Sequence, residues 1–316
     1  MSKQTTDATK FRTSIGGQAL IEGILMQGPE KKAIVVRSKD GLVNKVEPRV
    51  SPKDKYPILG WPLIRGVVNF ASSLVSGMRA MTYSASFFPE DELAQPDKLD
   101  LWLEKHIGSE KMEQAAIYIA LVLGLALAIG LFILLPTFLV GLIKPIADRF
   151  VLRTLCEGVV KLAILLVYLW VVSRQKDIRR VFAYHGAEHK TIFCYENGLE
   201  LTVENVRPQS RFHPRCSTSF ILIVVIVSIL VGALIHVTNP FARAGLRLLL
   251  LPVVVAVSYE CLKWTGAHDN WLSRVLSAPG KALQRLTTNE PEDDMIEVAI
   301  EALKLVLPSQ AGADRW

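Results

Sequence analysis

The chain has 316 residues, of which 50% are hydrophobic, with a mean hydropathy of +0.30. That balance is too apolar for an ordinary soluble domain and directs the search to membrane segments first. The formal net charge is +6, but no arginine-rich stripe with interleaved aromatics is present, which argues against nucleic acid as a partner. The four cysteines, Cys156, Cys194, Cys216 and Cys261, form no C-x-x-C pair; reduced, intracellular thiols fit better than a disulfide framework.

The first residues, MSKQTTDATKFRTS, are polar, so no cleavable signal peptide is expected. Residues 1–114 read as a cytoplasmic amino-terminal region. GGQALIEGILMQGP (16–29) is an apolar run punctuated by glycines, expected as a strand or tight loop with close backbone approach. AIVVR and LVNKVE flank SKDG and predict a β-hairpin. Residues 59–81 form an amphipathic segment interrupted by Arg65, Asn69 and Arg79, expected as a helix lying on the membrane or against a bundle.

Four transmembrane helices are expected in a bundle over 115–263, at about 115–143, 154–173, 219–237 and 243–262. Eight Lys and Arg residues lie in the loop 173–217, against three between the first two spans and two before the last. The positive-inside bias places that loop and both termini in the cytoplasm of a multi-pass protein of the inner (cytoplasmic) membrane, in contact with its lipids. The region 264–316 reads as a cytoplasmic helical tail. Its stripe of Ile296, Ile300 and Leu303 needs a partner, within this chain or in another protein. The fold class is thus mainly α, polytopic, with a small β-containing amino-terminal region.

The stretch YHGAEHKTIFCYENG (184–198) carries the chemistry. On a helix, His185 and His189 are i and i+4 and share one face, where their imidazoles can meet one divalent ion, zinc foremost. Glu188 precedes the second histidine in the inverted zincin order His-x-x-Glu-His and would serve as general base. Solvated side chains on an interfacial helix are the bland alternative. A catalytic zinc needs a third protein ligand; Glu260, His213 and Cys216 all fall on the cytoplasmic side in this topology. Glu260 could equally pair with Lys263, and Cys216 could be a small buried hydrophobe. Glu22, an acid within an apolar run, is a further ligand or supporting candidate beside the simpler reading of a solvent-facing strand residue. A straight extension of the second span would carry His185 about 18 Å above the bilayer core at 1.5 Å per residue, so the chain must bend between 173 and 185, where it has neither Pro nor Gly.

The blocks GGQALIEGILMQGP, YHGAEHKTIFCYENG, LTVENVRPQSRFHPRCSTSF and LQRLTTNEPEDDMIEVAIEAL together resemble the YqhQ family, a bacterial family of unknown function, over about residues 12–305. The resemblance implies a polytopic inner-membrane protein described as a metal-dependent enzyme, with His185, Glu188 and His189 as the matching motif residues. Three function classes follow: a membrane-embedded metal-dependent hydrolase; a non-enzymatic scaffold or assembly factor, with or without a structural metal; and, less favoured, a transporter, since 115–143 and 219–237 lack charge at mid-membrane.

Overall fold

The computed structural model describes residues 11–50, 52–88, 119, 122–143, 149–237, 239–268, 270–310 and 312–315. The chain divides into two compact units, one of residues 1–88, 167–228 and 251–316, the other of 89–166 and 229–250. The expected start of the first span at 115, and residues 89–114 of the expected amino-terminal region, lie outside the described residues.

The first unit is built on an antiparallel sheet of order β1-β2-β3-β4, with β1 Gly16–Leu20, β2 Gly23–Gln27, β3 Lys31–Ser38 and β4 Gly41–Pro48. The apolar run 16–29 is a hairpin whose two-residue turn is Ile21–Glu22, with Leu20 opposite Gly23. Glu22 takes the left-handed conformation, φ 49°, which costs a non-glycine residue energy. Its carboxylate is fixed by the Arg180 guanidinium and by the Tyr184 hydroxyl at 3.2 Å. The β3–β4 hairpin turns at Lys39–Asp40 and enters β4 at Gly41, φ 121°, so the Asp-Gly signal does mark the hairpin.

Strand alternation gives the sheet two buried faces. Ile24, Met26, Ala33 and Val35 face one core with Tyr184, Ile192, Ile296 and Leu303; Leu25, Ile34 and Val36 face another with Leu20 and Ala80. Ala80 belongs to helix α1, Ile64–Ala85, which is the amphipathic segment expected at 59–81. The apolar stripe of the carboxy-terminal helix finds its partner within the chain: Ile296 and Leu303 are fully buried against the sheet and the motif helix, each contributing about 1.5–3 kcal/mol of burial.

Helix α2, Val122–Gly141, and α3, Phe150–Val172, are each long and apolar enough to cross a membrane. Val122, Leu123 and Leu127 of α2 are more than half exposed, an apolar surface that calls for an apolar environment. The motif helix α4 spans Lys176–Glu196. Helix α5, Ser217–Gly232, is apolar but has only 16 residues. Helices α6, Pro240–Leu249, and α7, Leu251–Ala267, together make a third membrane-length segment if taken as one broken span. Among the described residues the fold therefore holds two such helices, or three with that pair, fewer than the four expected. Helix α8, Trp271–Thr287, starts on an Asn270–Ser273 capping box, and α9, Asp293–Val306, carries Asp293 and Asp294 in its first turn.

The helix breaks before the motif without Pro or Gly. Helix α3 ends at Val172, the Arg174 guanidinium lies 3.7 Å from the Trp170 ring centre, and Gln175 is extended (φ −67°, ψ 134°) before α4 begins at Lys176. The acid Asp177 in the first turn suits the positive end of the new helix.

Candidate metal centre

All the residues of the centre belong to the first unit. Helix α4 turns His185, Glu188 and His189 inward; Glu188 is 5% exposed and His189 2%. Gly186 explains how the helix comes so close to the segment after α8: a Cβ there would run into the Asn289 carbonyl. The Asn289 N–H in turn donates to the Phe182 carbonyl at 2.8 Å. This tight passage brings the Thr287 carbonyl to the motif.

The His185 Nδ1–H donates to the Thr287 carbonyl at 2.9 Å, and the His189 Nδ1–H to the Arg211 carbonyl at 2.6 Å. A carbonyl can only accept, so both rings are held with Nδ1 protonated and Nε2 turned to the cluster, the second-sphere arrangement of metal-ligating histidines. The third member is Cys216, from the loop before α5. Its Sγ lies 3.1 Å from His185 Nε2, and one ligand atom from each of His185, His189 and Cys216 lies within 4.8 Å of the others. Burial opposes charge on His185, but the adjoining Cys216 thiolate overrides it and lifts the imidazole to about 9. Burial likewise opposes the thiolate, yet His185 and His189 hold the Cys216 pKa well below its usual value. Both histidines thus favour the thiolate, the form in which a cysteine ligates metals.

Glu188 stands beside this group. Its Oε1 accepts the Gly17 N–H at 2.8 Å. That donor is free because β1 is an edge strand, whose outward N–H groups have no sheet partner. Gly17 is also the residue that fits: a Cβ there would lie 2.7 Å from the Leu25 carbonyl and 3.1 Å from the Glu188 carboxyl carbon. Burial raises the Glu188 pKa, offset only in part by the two histidines. A cavity of about 280 Å3 opens at the cluster, with Glu188, His185, His189 and Cys216 in its wall.

The other expected candidates go elsewhere. His213 lies next to His189, ring centres 5.5 Å apart, but its Nε2 faces Glu196 at 3.6 Å and Arg215 at 3.3 Å. Burial pushes its pKa down to about 4 in spite of Glu196. Glu260 is not brought to the cluster: Arg65 grips it in a two-bond fork at 2.7 and 2.5 Å. Glu22 sits at the β1–β2 turn on Arg180, where that guanidinium holds its pKa low.

Sequence reasoning missed the groups that orient the cluster. Two are backbone carbonyls and one is a backbone N–H, which no residue type announces, although the glycines at 16–17 signal close backbone approach. The fourth is Gln284 of α8, fully buried. It accepts the His213 N–H at 2.8 Å and donates to the His213 carbonyl at 2.7 Å, pinning the loop that delivers Cys216.

Comparison with known proteins places the chain. The model of a family described as protein of unknown function (DUF1385) matches residues 61–309. The chain belongs to this family. It is 34% identical over 313 residues to the uncharacterized protein YqhQ of Bacillus subtilis (strain 168), covering 96% of this chain and 95% of that protein. No solved structure matches the chain.

Proposed function

We propose that the protein is a metal-dependent hydrolase of the inner membrane, with its site on the cytoplasmic side. One observation carries the reading: a buried His185–His189–Cys216 group with both imidazoles held by Nδ1 and turned with Nε2 to the cluster, a cysteine sulfur among them, and Glu188 beside it at an open cavity. The donor set, two nitrogens and a thiolate, suits zinc. Three protein ligands leave a coordination position free, as in catalytic rather than structural sites. A divalent ion held there would act as a Lewis acid and lower the pKa of a water to about 7.

The chain's own groups divide the remaining work. Glu188, anchored by the Gly17 N–H, accepts the water's proton and returns it to the leaving group. Its raised pKa suits a base that must also act as acid. The carbonyls of Thr287 and Arg211 keep the imidazoles aimed, and Gln284 keeps the Cys216 loop in place. In this reading α2, α3, α5 and the α6–α7 pair are the membrane segments, and both termini face the cytoplasm.

The test is Glu188→Gln. The variant retains stoichiometric metal and loses hydrolysis of any substrate the wild type turns over. Loss of metal in this variant would show that Glu188 is a ligand and remove the assigned base.

A further inference from the structure

A second cavity, about 740 Å3, adjoins the cluster cavity; Arg49, Asn69 and Tyr259 lie in the walls of both. Its composition is one-sided. Arg49, Arg79 and Lys32 line it, and no described residue in its wall is acidic. Lys32 is neutralised by Glu47 at 2.8 Å. Arg49 and Arg79 have no carboxylate partner among the described residues. Arg49 is nevertheless held in place, because one Nη donates to the Gly28 carbonyl at 2.8 Å, leaving the rest of the fork without a side-chain partner among the described residues.

The α1 face on this groove is polar at helical spacing. Asn69, Ser72, Ser76 and Arg79 follow at i, i+3, i+7 and i+10 and so share one side of the helix. The Asn69 Nδ2 donates to the Tyr259 hydroxyl oxygen at 2.8 Å, which leaves the Tyr259 O–H proton to donate to something else. The groove therefore offers two guanidiniums, a phenol and serine hydroxyls, with no fixed negative charge among the described residues of its wall to answer them. Guanidinium forks match tetrahedral oxyanions in geometry as well as charge.

We propose that this groove binds a phosphate group of the substrate, placing the bond to be cleaved at the His185–His189–Cys216 cluster. The substrate class is a phosphate-bearing compound, either a lipid with a phosphate headgroup or a soluble phosphoester. This substrate assignment rests on the hydrolase reading, while the binding itself is measurable apart from it.

The experiment uses the full chain in neutral detergent and measures binding of two probes by calorimetry: inorganic phosphate and dihexanoyl phosphatidic acid. Three forms are compared: wild type, Arg49→Gln/Arg79→Gln, and His185→Ala/His189→Ala. Both arginines are exposed, so the first double variant is expected to melt with the wild type. At least one probe binds the wild type, and Arg49→Gln/Arg79→Gln weakens it about tenfold or more, since charge-assisted bonds are lost. His185→Ala/His189→Ala keeps the affinity. Preference for the lipid probe assigns a headgroup; preference for inorganic phosphate assigns a soluble ester. Equal binding with and without the two arginines, no binding of either probe, or binding that disappears with the histidines alone would overturn the groove assignment. A wild type that holds no metal but still binds phosphate through Arg49 and Arg79 would end the hydrolase reading and leave the groove standing.

Discussion

Replacing Gln284 by Ala removes the staple between α8 and the loop that carries Cys216. The side chain is fully buried and makes three bonds: from the His213 N–H at 2.8 Å, to the His213 carbonyl at 2.7 Å, and to the Ser219 hydroxyl at 3.3 Å. His213 is 4% exposed, so water does not readily replace the amide. Two main-chain groups would be left unsatisfied, each costing about 1–3 kcal/mol. Relief from burying the carboxamide itself offsets part of this, and a net loss of about 2–4 kcal/mol follows. Denaturant unfolding at fixed metal concentration, followed by tryptophan fluorescence, measures it. Arg285→Ala, one residue on and exposed, is the control and stays within about 0.5 kcal/mol of wild type. Because the loop also delivers Cys216, metal affinity falls about 10–100-fold, the usual range for a lost supporting group. A Gln284→Ala variant within about 0.5 kcal/mol of wild type, with unchanged metal affinity, would refute the staple.

Acid should destabilise the protein through His213. Its folded pKa of about 4 lies below the ordinary histidine value of about 6.5, so the unfolded chain binds the extra proton and stability falls as pH drops from about 6.5 to about 4, by up to 1.36 kcal/mol per pH unit. His213→Gln should flatten that part of the stability–pH curve; an unchanged slope would place the responsible group elsewhere. Glu260→Gln should leave metal stoichiometry unaltered, because Glu260 is engaged by Arg65; reduced metal would restore it as a ligand. Gly17→Ala should lower stability by about 1–3 kcal/mol through the clash with the Leu25 carbonyl, and should shift the pH dependence of any hydrolysis, since the new Cβ, 3.1 Å from the Glu188 carboxyl carbon, pushes the carboxylate off the residue-17 N–H. Unfolding midpoints and a pH–rate profile identical to wild type would count against the role of Gly17.

What could be read from the sequence was what repeats or punctuates. Alternation of Val and Ile around Asp40–Gly41 identified the β3–β4 hairpin, and helical spacing identified both α1 and the α9 stripe. The β1–β2 turn was illegible because Glu22 is no turn residue; its left-handed conformation is held by Arg180, which is 158 positions away. Two of the expected spans differ as helices from their hydropathy, because hydropathy does not show where helices stop. The segment expected at 219–237 leaves the helix after Gly232, and that at 243–262 is divided at Leu250, just before Pro252. The break at Gln175 was required by geometry without any residue to mark it. At the site, helical periodicity brought His185 and His189 together, and the loop 211–220 put Cys216 in view. Choosing among Cys216, His213 and Glu260 needed their competing partners: Glu196 for His213 and Arg65 for Glu260. Such long-range pairings leave no local signal.

The central claim is that His185, His189 and Cys216 form a metal site. Its most direct test is elemental mass spectrometry of the protein purified without chelators, beside Cys216→Ser and the double variant His185→Ala/His189→Ala. The account predicts close to one divalent ion per wild-type chain, a clear reduction in Cys216→Ser and none in the double variant. A wild type that carries no metal and takes up none of added zinc, iron, nickel or cobalt would contradict it.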